Sequence, residues 1–472
     1  MPSYTLTIAG RAVSTAKTFD VLNPADGSVV AACPEATVSD VDAAVAAARS
    51  AFAAWSALAD AERVAKITAI ADLIEKHHQE LSELITREQG KTQSGPGANF
   101  ELGGAVAWAR VTAGLALPEE TIQDNAAGKI TVHRKPLGVV GSITPWNWPL
   151  LIAVWHIMPA LRVGCTVVIK PSPFTPLSTL RLVALMNDVL PAGVVNVVTG
   201  GGEIGTYMSR HAGIDKMVFT GSIPTGKKIM GASAETLKRV TLELGGNDAG
   251  IVLPGTNIKP HLEKLFWGCF LNAGQTCSAL KRLYVHEDQY EDVVREFSEY
   301  VSKIPVGNGL DTGNLIGPVS NEAQRDKVES MVEEARDRGA RIVTGGVKPK
   351  ARGFFYPLTV IADASDDMRV VKEEQFGPVI PILKYATVDE AIRRANSLAV
   401  GLGGSVWGDD PSTAARYAAR LECGTAWVNQ HSTLHPLAPF GGVKNSGIGL
   451  EFNVDGLKEY TTVQVLNIAL SG

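Results

Sequence analysis

Residues 138–170, GVVGSITPWNWPLLIAVWHIMPALRVGCTVVIK, form the stretch that decides the fold class. The stretch begins with a β-branched run at 138–143, continues with an apolar helical pattern at 150–163, and ends with a second β-branched run at 166–170. A strand, a crossover helix and a second strand of this kind pack as parallel neighbours in one sheet. The apolar run 149–168 is interrupted by Trp, His, Pro, Arg and Gly, so we predict a buried helix and strand in place of a membrane span.

The alternation of strands and helices continues downstream of this stretch. Three more strand-like runs lie at 194–198, 216–220 and 239–244. Helical patterns separate the strands, at 150–163, 176–190, 204–211 and 225–237. Short β-branched runs that alternate with helices predict a parallel, doubly wound sheet. Ligands of such sheets bind beyond the carboxyl ends of the strands, and polar motifs follow the strands there, at 144–147, 170–173 and 221–226.

The rest of the chain contributes helices, a second α/β region and two isolated strands. Two early helices are predicted at 39–57 and 60–89, with Ser39 and Asp60 as N-caps. A second α/β region extends from 247 to 443. Two further segments, 129–136 and 460–468, alternate apolar and polar residues and are predicted to be strands of an extended arm. Because exposed strands aggregate unless a partner covers them, we expect a homodimer or homotetramer.

Composition excludes several classes of protein. A chain of 472 residues exceeds one typical core, and a net charge of −5 without a basic run does not favour nucleic acid as a partner. The amino terminus lacks a secretory signal, so no membrane association is expected. Five cysteines, an odd number without metal-ligand spacing, favour a reducing cytoplasm with neither disulfides nor a metal site.

Cys277 is the cysteine whose surroundings suggest chemistry. It ends the small-residue turn Gly274-Gln275-Thr276-Cys277. A free thiol has a pKa of roughly 8.5, and a polar turn or helix N-terminus would lower it. For any lone cysteine a buried, inert thiol is the more common alternative. That alternative is our interpretation of the other four, Cys33, Cys165, Cys269 and Cys423.

Three further positions have local sequences compatible with a site. Glu243 lies between leucines and before paired glycines, where a partly buried carboxylate would have a raised pKa suited to a base. Asn147 lies between prolines and tryptophans, so its amide would be held firmly enough to donate to an oxyanion. Gly221 and Ser222 open a helix and would let a phosphate approach. Taken alone, Glu243 is equally compatible with a salt-bridged or capping Glu, and the Gly221-Ser222 pair with a tight turn. A plain turn Asn would be the favoured interpretation of Asn147 alone.

Seven motifs together resemble the NAD(P)-dependent aldehyde dehydrogenase superfamily, in order and in spacing, across nearly the whole chain. They are Pro145-Trp146-Asn147-Trp148-Pro149, Lys170-Pro171-Ser172, Phe219-Thr220-Gly221-Ser222, Leu242-Glu243-Leu244-Gly245-Gly246, Gly274-Gln275-Thr276-Cys277, Glu374-Gln375-Phe376-Gly377-Pro378 and Pro439-Phe440-Gly441-Gly442. The resemblance implies an α/β protein with a Rossmann-like cofactor domain (1–122 and 140–246), a second α/β catalytic domain (247–443) and a β-strand oligomerisation arm (123–139 and 444–472).

The resemblance also implies a role for each matching residue. Cys277 matches the nucleophile that forms a thiohemiacetal and then a thioester, and Glu243 matches the base that activates the hydrolytic water. Asn147 matches the oxyanion donor, and Glu451 matches a glutamate that assists proton movement in some members. The cofactor-binding positions implied are Ile143, Thr144, Pro145, Trp146, Lys170, Ser172, Pro173, Gly221, Ser222, Leu244, Gly245, Glu374 and Phe376. Positions matching the substrate tunnel are Trp148, Leu151, Ile152, Trp155 and Phe440, whose apolar bulk favours an aromatic or medium-chain aliphatic aldehyde.

Departures from the common motifs leave alternatives open. Pro173 stands where many members have a ribose-binding Glu, so we expect NAD as the cofactor while NADP remains open. Asn247 and Leu450 replace a common Lys and Arg. Two other functions make different demands on the sequence. A cysteine esterase would need a histidine base beside Cys277, and a structural protein on an old enzyme fold would show a decayed site.

Overall fold

The first sheet is built around the five strands that the alternating pattern predicts. In the computed structural model, which describes residues 4–469, they lie at Val139–Ile143, Thr166–Lys170, Val195–Val197, Lys216–Thr220 and Arg239–Glu243. Their order across the sheet is third, second, first, fourth, fifth, and every neighbouring pair is parallel. This is the doubly wound order, which reverses direction between the first and fourth strands and leaves a crevice at their carboxyl ends. The predicted fold class, α/β with parallel sheets, is therefore confirmed.

Antiparallel strands extend this sheet at both edges, and helices cover its two faces. The added strands are Leu6–Ile8 and Arg11–Val13 beside the third strand and Gly447–Ile448 beside the fifth. A separate hairpin pairs Thr18–Leu22 with Val29–Pro34. The helices of this lobe are Val38–Ala57, Asp60–Lys76, His78–Gln89, Ala98–Gly114, Pro149–Val163, Leu177–Met186, Gly202–Arg210 and Ile223–Ala234.

Details of the first helices differ from the sequence-based expectation. The helix predicted at 60–89 is two helices that meet at His77, whose ψ of 19° departs from helical geometry. The predicted N-cap Ser39 lies inside the helix, because the cap is Thr37. The Thr37 hydroxyl accepts from the Asp40 amide, and the Asp40 carboxylate accepts from the Thr37 amide at 2.7 Å. This reciprocal capping box satisfies two free donors, so the helix starts earlier.

The second sheet has seven strands, of which all but one edge strand are parallel to their neighbours. In spatial order they are Arg341–Thr344, Thr359–Ala362, Val379–Tyr385, Leu280–His286, Asp248–Val252, Gly403–Trp407 and Thr425–Val428. The α-helices of this half are Leu262–Phe270, Tyr290–Val301, Glu322–Asp337, Arg369–Lys372, Val388–Asn396, Pro411–Ala418 and Asn453–Lys458. Single 3₁₀ turns lie at Lys259–His261, Leu271–Gly274 and Glu287–Gln289, and a short two-stranded pair joins Val400–Gly401 to Val443–Lys444.

A three-stranded antiparallel sheet stands apart from both lobes. Its strands are Glu120–Asn125, Gly128–Pro136 and Thr461–Ile468, so the two strands predicted for the arm pair with each other and gain a third. The outer strand exposes Val463, Val465, Leu466 and Ile468. The predicted domain ends at 1–3 and 470–472 lie outside the described residues. No helix within residues 4–469 is both long enough and apolar enough to cross a membrane.

Glycine 226 allows the helix Ile223–Ala234 to lie close to the end of the fifth strand. A Cβ atom at Gly226 would be 2.5 Å from a methyl carbon of Leu244, well inside van der Waals contact. Gly231, in the same helix, has nothing within 4 Å of its would-be Cβ. The helix therefore packs closely against its neighbour at Gly226, whereas Gly231 has free space around it.

This contrast gives a stability prediction. We expect Gly226→Val to lower the free energy of unfolding by about 1–3 kcal/mol, since the added atoms force Leu244 and the helix apart. Gly231→Ala, the matched control, should raise it by up to about 1 kcal/mol, because alanine favours the helix and meets no neighbour. Thermal or denaturant unfolding checks both. Equal effects of the two substitutions would contradict the packing argument.

Candidate active site

A cleft of about 650 Å³ lies at the carboxyl ends of the strands, where the strand order reverses. Many predicted cofactor positions line it: Ile143, Thr144, Pro145, Trp146, Lys170, Ser172, Pro173, Gly221 and Ser222. The helices Gly202–Arg210 and Ile223–Ala234 begin at this cleft, and Gly201, Gly202 and Ser222 form their first turns. Small residues at a helix N-terminus let backbone N–H groups bind a phosphate, so the cleft fits a nucleotide.

Three charged residues outside the motifs also line this cleft. Arg210, Lys228 and Glu235 place both signs of charge around it. The run of glycines at 200–202, directly after the third strand, was the available signal. Lys170, which was predicted, is buried, and burial lowers the pKa of its ammonium to about 8.

A second cavity, of about 180 Å³, adjoins the cleft and brings the predicted catalytic residues together. Asn147, Glu243 and Cys277 all line it. So do the remaining predicted cofactor positions, Leu244, Gly245, Glu374 and Phe376. Pro145, Trp146, Gly221 and Ser222 belong to both cavities, so a molecule in the cleft would reach the thiol. No histidine is among the described residues that line the smaller cavity, which leaves the esterase alternative without its base.

The turn before Cys277 is held in an unusual backbone conformation. Asn272, Ala273 and Gly274 have φ values of 52°, 56° and 71°, in the left-handed region that costs roughly 1–2 kcal/mol for a residue with a Cβ. A Cβ at Gly274 would be 2.2 Å from the Gly377 carbonyl, so only glycine fits. Gln275 secures the turn by accepting from the Ser320 amide at 2.8 Å and donating to the Asn272 carbonyl at 2.9 Å. Strain maintained by such contacts is typical of functional turns.

The electrostatics of Cys277 differ from the sequence-based expectation. We expected the turn to lower the pKa of the thiol, but burial raises it to about 12. The Lys281 ammonium opposes this effect, while the carboxylates of Glu243 and Glu374 add to it. The sequence could not reveal this, because burial depends on the packed lobes rather than on the turn. The thiol is therefore protonated at neutral pH and needs a base.

Asn147 joins the first lobe to the Cys277 turn. Its side-chain Nδ2 donates to the Gln275 carbonyl at 2.9 Å, and its backbone carbonyl accepts from Asn272 Nδ2 at 2.8 Å. The neighbouring Trp148 indole donates to the Thr276 hydroxyl at 3.1 Å. An amide held in this way points one donor at the turn and retains a second N–H for a ligand.

Glu243 is a buried carboxylate, and neither of its oxygens has a hydrogen-bond partner among the described residues. Burial raises the pKa of Glu243 well above its ordinary value, and the nearby Glu451 carboxylate raises it further. This agrees with the predicted direction. Glu451 in turn lies 3.3 Å from His156 Nε2, and both side chains are buried. His156 continues the polar series to the hydroxyls of Ser142 and Thr220.

Glu374 and Phe376 are positioned on the far side of the thiol. Lys281 lies 3.1 Å from the Glu374 carboxylate, and the Gly246 amide donates to the same oxygen at 3.3 Å. Phe376 has a φ of 52° and packs edge-on against Trp146 at 5.2 Å between ring centroids.

Asn247, one of the positions that differ from the common motifs, has a structural role, since its Nδ2 donates to the Val371 carbonyl at 2.8 Å. Nothing in the structure explains Leu450.

An aromatic cluster packs against Cys277. Trp155 and Phe440, both predicted, contact Phe452 at centroid distances of 4.7 and 5.8 Å. The predicted Trp148, Leu151 and Ile152 belong instead to the core cluster of the first lobe. Two members of the aromatic cluster were missed, Trp108 and Phe452, because they lie outside the motifs. The wall beside the thiol is thus apolar and aromatic.

Comparisons with known proteins agree with this geometry. A sequence model described as the aldehyde dehydrogenase family matches residues 12–466. The chain is 41% identical to the putative aldehyde dehydrogenase DhaS of Bacillus subtilis, over 97% of this chain and 94% of that one. It is 40% identical to phenylacetaldehyde dehydrogenase of Pseudomonas fluorescens, over 96% and 93% of the two chains.

Solved structures give the same result. An NAD+ complex of aldehyde dehydrogenase from Bacillus cereus superposes with a TM-score of 0.97 at 38% identity, covering 100% of this chain and 97% of that one. An NAD+ complex of betaine aldehyde dehydrogenase from Staphylococcus aureus superposes with a TM-score of 0.95 at 36% identity, covering 99% and 94%.

The raised pKa of Cys277 predicts its reactivity. Alkylation of Cys277 by iodoacetamide should accelerate about tenfold for each pH unit between 7 and 10, because the thiolate fraction grows up to a pKa of about 12. Lys281→Met should slow alkylation at any one pH, since that ammonium lowers the pKa. Lys264→Met, an exposed lysine, is the control. Mass spectrometry of the modified peptide measures the rate, and a plateau near pH 8 would contradict the prediction.

Proposed function

The chain belongs to the aldehyde dehydrogenase family, and we propose that it oxidises an aromatic or medium-chain aliphatic aldehyde to the carboxylic acid, with NAD as the hydride acceptor. The observation that carries this proposal is the cavity shared by Cys277, Glu243 and Asn147, which continues into the cleft at the strand ends. A nucleophile, a base and an oxyanion donor thus face one small volume.

The first half of the reaction belongs to Cys277 and Asn147. Ionised Glu243 accepts the thiol proton, and the sulfur forms a bond to the aldehyde carbon while the carbonyl π pair moves to oxygen. The free N–H of the Asn147 side chain and the Cys277 amide donate to that oxyanion. Losing one such donor typically costs about 10²–10³ in rate. The product is a thiohemiacetal on Cys277.

The cleft residues would hold NAD. The backbone amides that open the helix at Ile223, with Gly221 and Ser222, suit its phosphates, and Lys170 and Glu374 suit its two riboses. When bound, NAD supplies the acceptor for the hydride that leaves the aldehyde carbon. Pro173 places no carboxylate at the ribose, and Arg210 and Lys228 face the same cleft, so both NAD and NADP belong in the assay.

The second half of the reaction belongs to Glu243. Its carboxylate takes a proton from water, the water oxygen adds to the thioester carbon, and the carbon–sulfur bond breaks to give the acid and the thiol. The proton taken from water returns to the leaving sulfur. Before this step Glu243 must pass on the proton that it took from the thiol, and Glu451, whose charge raises the pKa of Glu243, would receive it, with His156 beyond. The same base therefore serves attack and release.

The aromatic cluster supports the substrate class. Cys277, Trp108 and Trp155 pack against an apolar cluster that contains Phe440 and Phe452, and an aryl or alkyl chain buried there would gain about 25 cal/mol per Å². The relative that acts on phenylacetaldehyde supports the aromatic alternative.

We further propose that the exposed apolar strand Thr461–Ile468 pairs with a second copy of the chain, since an uncovered edge of this kind favours association.

The assay that tests the proposal follows reduction of NAD or NADP with phenylacetaldehyde, hexanal, betaine aldehyde and succinate semialdehyde. We expect phenylacetaldehyde or hexanal to have the highest kcat/KM and NAD to be reduced. Cys277→Ala should abolish reduction by removing the nucleophile. A preference for betaine aldehyde or the semialdehyde would contradict the substrate class, and activity in the Ala variant would contradict the mechanism.

Glu243→Gln separates the two halves in the same assay. Glutamine cannot accept the proton of water, so steady-state turnover should fall by about 10²-fold or more. Attack should slow too, because Glu243 also accepts the thiol proton, but the acyl-enzyme that does form should persist and be seen by mass spectrometry of the intact protein. A normal steady-state rate would remove Glu243 from the mechanism.

The pH dependence of hydrolysis tests the interaction between Glu243 and Glu451. Because the pKa of Glu243 is raised, its basic form appears only as the pH rises through that raised value, so hydrolysis should increase with pH. Glu451→Gln removes one cause of the raised pKa and should move the rising limb to lower pH. Steady-state hydrolysis of p-nitrophenyl acetate between pH 5.5 and 9.5 measures this. Glu263→Gln, an exposed carboxylate, should leave the profile unchanged, and a limb that stays in place in Glu451→Gln would refute the interaction.

A further inference from the structure

A buried ion pair that the mechanism does not use lies behind Asn147. Lys91 Nζ is 2.6 Å from the Glu101 carboxylate, and both side chains are almost wholly removed from solvent. Lys91 follows the helix His78–Gln89, and Glu101 is in the first turn of Ala98–Gly114. A buried ion pair is costly unless every remaining donor and acceptor is satisfied, so its other contacts indicate what it holds in place.

Glu101 caps the helix that directly follows Asn147 and Trp148. The helix Pro149–Val163 begins with a proline, and Trp148 at its N-cap offers no side-chain oxygen. One Glu101 oxygen accepts from the amides of Leu150 and Leu151 at 2.9 and 3.1 Å. These are free donors of the first turn, where the helix dipole also favours an anion. The carboxylate therefore fixes where the helix starts.

Lys91 contacts the two residues directly before that helix. Its ammonium donates to the Asn147 backbone carbonyl at 2.8 Å, and it lies 3.5 Å from the centre of the Trp148 ring. The cation–π contact stabilises the indole beside the turn, where the indole Nε1 donates to the Thr276 hydroxyl. Burial lowers the pKa of Lys91 to about 8, and Glu101 counteracts this effect.

These contacts enclose Asn147 from both sides of the backbone. Its carbonyl is fixed by Lys91 and Asn272, and the helix that follows is fixed by Glu101. Among residues 4–469, the Nδ2 atom is supported by its bond to the Gln275 carbonyl alone. The position of the amide therefore follows from the position of the backbone that the ion pair holds.

We propose that the Lys91–Glu101 pair is a positioning unit for the oxyanion donor, which sets the Asn147 amide relative to Cys277 and so controls the rate of acylation. This inference rests on the role of Asn147 in the proposed function. Lys91 and Glu101 touch no reacting atom. Misplacing a catalytic group by about 1 Å typically costs about 10²-fold.

The experiment is a double-mutant cycle on acylation. p-Nitrophenyl acetate acylates the thiol without NAD, so the first release of p-nitrophenolate measures the oxyanion donor in the protein alone. We expect Asn147→Ala to slow this step about 10²–10³-fold, and Lys91→Met to slow it about 10- to 100-fold. The double variant should be no slower than Asn147→Ala, because Lys91 acts through that amide. In these variants the KM for NAD should stay unchanged.

Two further variants separate positioning from stability. Glu101→Gln keeps an oxygen for the helix amides and removes the charge, and we expect it to slow acylation while remaining folded. Arg162→Met breaks an ion pair at the opposite end of the same helix, between the buried Arg162 and the exposed Asp60. It should lower the melting temperature without changing acylation.

The outcomes are distinguishable. Additive effects of Lys91→Met and Asn147→Ala, or acylation at the normal rate in Lys91→Met and Glu101→Gln, would overturn the inference alone. Normal acylation in Asn147→Ala would instead remove Asn147 from the proposed function, and with it the route by which Lys91 acts. A slowed Arg162→Met variant would show that any loss of stability slows acylation, which also overturns the inference.

Discussion

The contacts of Asn147 connect the two lobes at the place where the chemistry occurs. Its amide and carbonyl reach Gln275 and Asn272, 128 and 125 residues further along the chain. These bonds are buried, so each is stronger than in water and costly to leave unmade. Neither lobe has a complete site alone: Glu243 and Asn147, the proposed base and oxyanion donor, belong to the first lobe, and Cys277, the proposed nucleophile, belongs to the second. The closed interface between the sheets is therefore the condition for every catalytic contact.

Burial at this interface also determines the charges. The thiol of Cys277 and the carboxyl of Glu243 both have raised pKa values, and burial is the first cause of each. Burial disfavours an isolated charge on either group. In the proposed mechanism, transfer of the thiol proton to the ionised Glu243 carboxylate creates the nucleophile. Lys281 is the cation that lowers the pKa of the thiol, and its pairing with Glu374 moderates its effect.

The sequence was informative where function depends on local backbone and weak where it depends on distant packing. The β-branched runs predicted all five central strands to within a residue or so. The motifs singled out Asn147, Glu243 and Cys277, which line one cavity in the structure. The pKa of Cys277 was anticipated in the wrong direction, because burial comes from the other lobe. Lys91 and Glu101 gave no signal, since their partners lie some 50 residues away. The sequence also did not reveal the break at His77, because the two helices on either side of it share one apolar pattern.

The aromatic wall links specificity to base strength. Cys277 and Trp155 pack against the buried cluster that contains Phe440 and Phe452, and burial is also the first cause of the raised pKa of Glu243. A more polar wall would ease ionisation of Glu243 and thereby weaken it as a base. An apolar substrate completes this wall, whereas a charged one would have to give up its hydration in it. In the proposed function, the same side chains therefore serve both selection for an apolar aldehyde and the base strength of Glu243.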